Sequence, residues 1–314
     1  MIVPADAGGI RRAADLLRAG SVVAFPTETV YGLGADAFSE QAVAEVYRLK
    51  NRPSWNPLIV HVPGVGAARG LAVEWPEVAD RLAAAFWPGP LTLVVERAPH
   101  LTQVGADTGT IAVRVPAHPV ALRLLEACGL PLAAPSANRS EGISPTTAGH
   151  VLRSLPDVPL VLDGGPASWG IESTVLDVTG PVPRLLRPGA LGLREIREVT
   201  GKVLLPEDVA DGSARPSPGM SKRHYAPRAK VVLTDEVDLA LVDETVGVLT
   251  YETAVPLKGG SAEILSADPR EYAADFYAAL HRLDDAGVAT ILVKSPPETE
   301  EWLAIRDRLG RAAA

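Results

Sequence analysis

A single cysteine, Cys128, in 314 residues excludes an intrachain disulfide framework and any cysteine-rich zinc site. Apolar runs are short: none approaches the ~20 residues of a membrane span. The start, Met1-Ile2-Val3-Pro4-Ala5-Asp6, has neither a basic segment nor an apolar one, so the reading is a cytoplasmic chain with no secretory signal and no membrane contact. The common nucleotide and hydrolase signatures are also missing. There is no G-x-x-x-x-G-K-[ST] loop and no G-x-S-x-G elbow. The six histidines never fall in an H-x-x-x-H pair, and no metal ligands are expected. The run Gly64-Val65-Gly66-Ala67-Ala68-Arg69 follows an apolar stretch but carries Arg where a dinucleotide fingerprint needs a small residue, and it reads as a loop. Any nucleotide site must therefore be assembled from scattered side chains and backbone amides.

What is present describes a globular chain of about two domains, with 47% hydrophobic and 22% charged residues. The net charge of −8 is unevenly spread. Residues 229–314 hold 8 Lys+Arg against 16 Asp+Glu, whereas residues 1–228 hold 22 of each. A broad electrostatic grip on nucleic acid is not indicated, although arginine clusters in the first part can still hold phosphates.

The expected organisation has three parts: a mixed α/β domain over 1–202, a linker over 203–228 and a smaller α/β domain over 229–314. In the first, short strands are expected at Ser21–Phe25, Leu58–Val62, Leu91–Val95, Ile111–Val115 and Thr174–Val178. Helices are expected from a Ser39 cap to Leu49 and over 77–86, 118–127 and 147–154. The linker is rich in Pro, Gly, Ser and charge. Beyond it, strands at Lys230–Thr234, Val246–Tyr251, Glu263–Ser266 and Val288–Lys294 alternate with helices at 236–243, 268–286 and 298–311, a pattern that predicts a largely parallel, Rossmann-like sheet.

Five polar clusters border the first domain's strands: Pro26–Gly34, Lys50–Leu58, Thr108–Pro116, Ala133–Thr147 and Gly170–Asp177 with Arg184, Arg187, Pro188 and Gly189. Singly, each fits ordinary turn chemistry. Lys50 and Arg52 can be satisfied by a helix end, His61 by a core, Asn56 by the turn before Pro57, and Tyr225 by docking the linker. Trp55, Trp87 and Trp169 read as packing residues. Arg114 is different. It stands within an apolar strand, where a bare charge is expensive, so it must pair or bind an anion. Together, hydroxyl-rich loops with Lys50, Arg52, Arg114 and Arg187 have the composition of a cleft for phosphate and carboxylate groups.

These same runs, PTETVYGLG (26–34), K-x-R with NPL (50–58), WPGPLT (87–92), AVRVP (112–116), APSAN with SPTT (134–147), ESTV (172–175) and RPG (187–189), resemble the YrdC-like family, and His224-Tyr225-Ala226-Pro227 with the acidic tail resembles its two-domain form. The resemblance implies a twisted mixed sheet with a concave cleft. It implies synthesis of threonylcarbamoyl-AMP and diphosphate from L-threonine, bicarbonate and ATP, with Mg²⁺ accompanying the ATP, for modification of tRNA. Transient contact with tRNA or with the threonylcarbamoyl-transfer machinery would follow. By the same resemblance Lys50, Arg52, Ser136 and Asn138 form a catalytic tetrad. Thr29, His61, Arg114, Ala134 and Ser173 hold L-threonine, Arg114 gripping its carboxylate. Asn56, Thr110, Ser144 and Arg187 join Arg52 and Ser136 on ATP, and Tyr225 closes over the nucleotide. Ala134 departs from relatives that carry threonine there, and offers only backbone and methyl contact. Two other readings are an RNA-binding translation factor, disfavoured by the balanced charge of 1–228, and a hydrogenase-maturation carbamoyltransferase, whose paired-cysteine zinc motifs a lone cysteine cannot supply.

Overall fold

The structure is a computed structural model that describes every residue except 102–103, 105–107, 206–222, 238–241 and 252–259. Its first part is built on a mixed sheet. In chain order the strands are β1 (Ile2–Pro4), β2 (Val23–Phe25), β3 (Gly32–Asp36), β4 (Ile59–His61), β5 (Leu91–Glu96), β6 (Thr110–Arg114), β7 (Leu132–Ala133), β8 (Val161–Asp163), β9 (Thr174–Asp177) and β10 (Arg184–Arg187). Side by side they run β1-β8-β2-β3-β7-β4-β6-β5-β9-β10.

Strand alternation decides where the cleft can lie. On one face Leu58, Val60 and Val62 of the β4 segment join Ile111, Val113 and Val115 of the β6 segment in the main core. The intervening residues point the other way. Ile59 and Ala112 form a small apolar patch with Val94, Val175 and Leu186, and His61 stands beside Arg114 in the parallel β4–β6 register. One face of these strands is thus a packed interior, and the other carries a histidine and an arginine on an apolar floor.

The helices follow their caps. Ser39 accepts a hydrogen bond from the Ala42 amide and starts Glu40–Lys50, which ends where Asn51 turns left-handed at φ 50°. His118 caps Pro119–Cys128, and Thr147 caps Ala148–Ser154. Strand β1 and the helix Ala7–Arg18 were not among the sequence expectations. Two glycines in the helix's first turn mask the signal, but Asp6 caps it at 2.8 Å from the Gly9 amide, and Ile10, Ala13, Ala14 and Leu17 form its buried stripe. The run at 64–69, read as a loop, makes a short helix, Val65–Arg69. The helix Leu193–Thr200 packs Leu193 and Ile196 into the first core.

The second part holds β11 (Lys230–Thr234), β12 (Val246–Thr250), β13 (Ser261–Ile264) and β14 (Thr290–Lys294) in the order β11-β14-β12-β13, paired parallel throughout. Asp268 and Pro269 open the helix Pro269–Asp285 as expected, and a 3₁₀ turn, Glu300–Trp302, precedes the last helix, Leu303–Ala312. The helix expected over 236–243 centres on 238–241, outside the described residues. Most of the expected linker lies there as well, but 223–228 is described, and the Ala226 amide donates to the Glu141 carbonyl at 2.8 Å.

The two parts share a core. Val30, Ile143 and Ile171 pack with Tyr225, Tyr272, Phe276 and Tyr277. At Gly170 the two backbones come close together. Its φ of +69° disfavours any side chain, and a Cβ there would stand 2.2 Å from the Ala274 carbonyl oxygen of the Pro269–Asp285 helix.

Candidate active site

A cleft partly open to solvent lies over the apolar floor. Its walls come from the 27–32 loop, Ile59, His61, Arg114, the 134–136 loop, Glu172-Ser173, Arg187, Arg52 and the returning pair His224-Tyr225. The sequence-expected residues Thr29, Arg52, His61, Arg114, Ala134, Ser136, Ser173, Arg187 and Tyr225 all line it.

Arg114 resolves its own burial problem. Its Nη2 donates to Glu28 Oε1 at 2.5 Å, its Nη1 to Thr29 Oγ1 at 2.9 Å and its Nε to the Gly89 carbonyl at 3.1 Å. With Arg114 donating, the Thr29 hydroxyl passes its own proton to Thr27 Oγ1 at 2.8 Å, which donates to the Val30 carbonyl at 2.6 Å. The ordinary turn chemistry of the 26–31 loop thus also anchors the arginine. Three guanidinium donors are engaged, leaving two of the five for a ligand. Glu28 Oε2, buried, has no hydrogen-bond partner. His61, edge-on to Phe25, is driven to a pKa of about 3 by burial and by Arg114, so it is neutral, and its buried Nδ1 is also unpartnered.

Lys50, Asn56 and Asn138 stand behind the wall. The Lys50 side chain is fully enclosed, and its Nζ donates to the carbonyls of Ser136 at 2.6 Å and Asn138 at 2.5 Å. The Ser140 amide returns a bond to the Lys50 carbonyl at 2.8 Å. The lysine is therefore the clamp that shapes the 136–140 loop, and burial, then Arg52, pulls its pKa well down. Arg52 donates to the Asn56 and Pro57 carbonyls at 3.3 and 3.0 Å, and burial lowers it to about 10. The Asn56 and Asn138 Oδ1 atoms are buried without partners.

On the opposite wall, Arg187 donates to the Ser173 carbonyl at 2.9 Å and to its hydroxyl at 3.2 Å. Ser173 Oγ also pairs with Thr92 Oγ1 at 2.8 Å. The turn is tight because Gly189 lies against it: a Cβ would stand 2.4 Å from Thr174 N.

Besides Asn56, two further expected nucleotide residues are not brought into the cleft. Thr110 shares its face with Arg114, but four residues of strand put it about 13 Å away, where its hydroxyl pairs with Thr108. Ser144 is fully buried and bonds Glu172 at 2.5 Å. Conversely, several residues were missed as site members. Glu28 and Glu172 lay inside quoted motifs, and a buried arginine needing a partner was the available signal. Tyr277 and Arg308 had none, because both come from the acidic domain. Glu172 accepts from the Tyr277 hydroxyl at 3.0 Å and from Arg308 Nε at 3.1 Å. Burial alone would raise the Glu172 carboxyl; Arg308 and Arg187 reverse that and hold it below its ordinary pKa.

Buried cations, uncharged hydrogen-bonding groups with unused capacity and an apolar floor give the cleft the chemistry of an enzyme site that works by positioning polar and anionic groups. Comparison with known proteins makes this specific. The Sua5/YciO/YrdC family model, described as telomere recombination, matches residues 15–189, and a model described as the threonylcarbamoyl-AMP synthase C-terminal domain matches 192–314. The chain is 42% identical to the threonylcarbamoyl-AMP synthase of Bacillus subtilis, over 97% of this chain and 92% of that one. It is 41% identical to that of Pyrococcus abyssi, over 97% and 94%. The crystal structure of P. abyssi Sua5 complexed with L-threonine superposes with a TM-score of 0.92 at 38% identity, covering all of this chain and 97% of that one. The chain belongs to the two-domain Sua5/YrdC-like family.

Proposed function

We propose that this chain condenses L-threonine, bicarbonate and ATP into threonylcarbamoyl-AMP and diphosphate, in the cytoplasm, for threonylcarbamoyl modification of tRNA. One observation carries the reading: Lys50, Arg52, Arg114 and Arg187 are all buried around one cleft, against two buried carboxylates, Glu28 and Glu172, the second already shared with Arg308. The surplus positive charge suits a polyphosphate and an amino-acid carboxylate.

Bicarbonate takes up a proton and loses water to give CO2, and the threonine amine adds to the CO2 to form a carbamate, releasing a proton. A carbamate oxygen then attacks the α-phosphorus of ATP, and the bond to the β-phosphate oxygen breaks to release diphosphate. No covalent enzyme intermediate is required, so positioning and charge stabilisation carry the rate. Arg114 uses its two remaining donors on the threonine carboxylate. Thr29, neutral His61, Ser173 and the Ala134 backbone surround the rest of the amino acid. Arg52 and Ser136 face the carbamate and the phosphates, and Lys50 and Asn138 shape the loop from behind them. Arg187 and Tyr225 hold the nucleotide, with Asn56, Thr110 and Ser144 supporting or extending that subsite. Mg²⁺ fits as an ion carried by ATP. Among the described residues no cluster of three His, Cys, Asp or Glu could hold a metal, and the unpartnered Asn56 and Asn138 amide oxygens are the neutral ligands available to it. When bound, it neutralises charge on the leaving diphosphate.

The test is diphosphate release by the purified chain with Mg²⁺ and ATP, omitting threonine or bicarbonate in turn. Release that needs both supports the reading; release that needs neither describes a nucleotide hydrolase and overturns it.

A further inference from the structure

Among the described residues, Arg308 is the largest side chain that the fold encloses completely. It comes from the final helix, does not line the cleft, and makes three kinds of contact. Its Nε donates to Glu172 at 3.1 Å, its Nη1 donates to the Pro188 carbonyl and to Asp307 Oδ2, and its guanidinium carbon lies 5.3 Å from the centroid of the Tyr225 ring. Two of these contacts are immediate neighbours of the nucleotide wall. Glu172 precedes Ser173, the residue that Arg187 grips, and Pro188 follows Arg187. Tyr225 is held at a left-handed φ of 62°, its ring also lies 5.7 Å from that of Tyr277, and its buried hydroxyl has no partner.

A buried ion pair is a weak source of stability, since apolar replacements often do as well. What this one supplies is geometry. We propose that Arg308 is a positioning residue through which the C-terminal domain completes the active site, fixing the Glu172–Arg187 wall on one side and the Tyr225 ring on the other. The proposal rests on the reading that Arg187 and Tyr225 face the nucleotide. The C-terminal domain then acts as the part that sets nucleotide affinity from behind the wall, with none of its described residues lining the cleft.

The experiment compares the full chain with Arg308→Met and Arg308→Lys, in two readouts. The first is hydrogen–deuterium exchange without ligand. Exchange over 223–228 should rise about tenfold in Arg308→Met, with Arg308→Lys intermediate, while β4 and β6 stay protected. The second is steady-state kinetics. The ATP KM should rise about tenfold and the threonine KM stay within about twofold, and the double variant with Tyr225→Ala should show the ATP KM of Tyr225→Ala alone, as expected for residues acting as one unit. Unchanged exchange over 223–228 overturns the proposal, and so does full additivity in the double variant. If Arg308→Met does not fold, Arg308→Lys carries both readouts. If the parent chain shows no threonine-dependent release, the functional reading fails, while the exchange readout still decides whether Arg308 fixes Tyr225.

Discussion

The two domains bury polar groups for different ends. In the first, buried Thr29, Lys50, Arg52, His61, Arg114, Asn138, Ser173 and Arg187 crowd one cleft, and several of their neighbours keep unpartnered atoms. In the second, among the described residues, the buried polar side chains are Thr250, His281 and Arg308. Two of those reach across to the first domain: His281 meets the Ser144 carbonyl at 3.2 Å, and Arg308 meets Glu172. The acidic domain's remaining charges include surface pairs such as Arg282–Glu263 and Arg306–Glu298. Unpartnered polar atoms of the first domain gather mostly around the cleft, whereas the second spends His281 and Arg308 on the seam and leaves the Tyr272 hydroxyl and Arg308 Nη2 without partners.

Substitutions can sharpen or break that contrast. The largest loss is expected at Lys50→Met: turnover should fall at least ~10³-fold, since the 136–140 loop that carries Ser136 loses its clamp, and circular dichroism should still report a folded chain. Arg114→Lys comes next. It retains the charge but not the fork, and should raise the threonine KM on the order of 100-fold with little change for ATP; equal effects on both would defeat the assignment. Tyr277→Phe tests the seam, where deleting one hydroxyl from Glu172 should cost about 1–2 kcal/mol in denaturant unfolding and leave threonine affinity unchanged.

Acid should separate the regions as well. His61 is held at about 3 and His281 at about 4, each chiefly by burial. Both are neutral when folded, and the unfolded chain takes up protons first. Their stabilisation is complete above pH ~6.5 and is lost at up to about 1.4 kcal/mol per pH unit for each, down to the folded values. His61→Gln and His281→Gln should each flatten the decline in melting temperature below pH 6.5, and only the first should alter the threonine KM. The smallest effect belongs to Arg306→Ala. Breaking an exposed pair should change unfolding by less than ~1 kcal/mol and leave both KM values alone.

How far the sequence carried the reading follows the same divide. Strand alternation and caps placed most elements, because both signals are local: Ser39, Asp268 and the apolar runs around Val60 and Val113 needed nothing distant. Nine of the expected site residues line one cleft because their motifs border strands that sit side by side. What stayed hidden was distant pairing. Nothing in the local pattern joins Arg114 to Glu28, 86 residues away, or Glu172 to Tyr277, 105 residues away. Helix Ala7–Arg18 was hidden for a different reason, the glycines in its first turn. Thr110 was assigned by motif, and a motif does not reveal how far along a strand a residue stands.

The Glu172–Arg308 contact also has a meaning for the order in which the chain is made. Glu172 leaves the ribosome 136 residues before its partner. At roughly 5–20 residues per second, its carboxylate waits on the order of ten seconds, and over that interval the half-made protein has a sheet and a cleft floor but no buttress beneath Tyr225. Nucleotide affinity would then be a property of the finished chain, withheld from the nascent one.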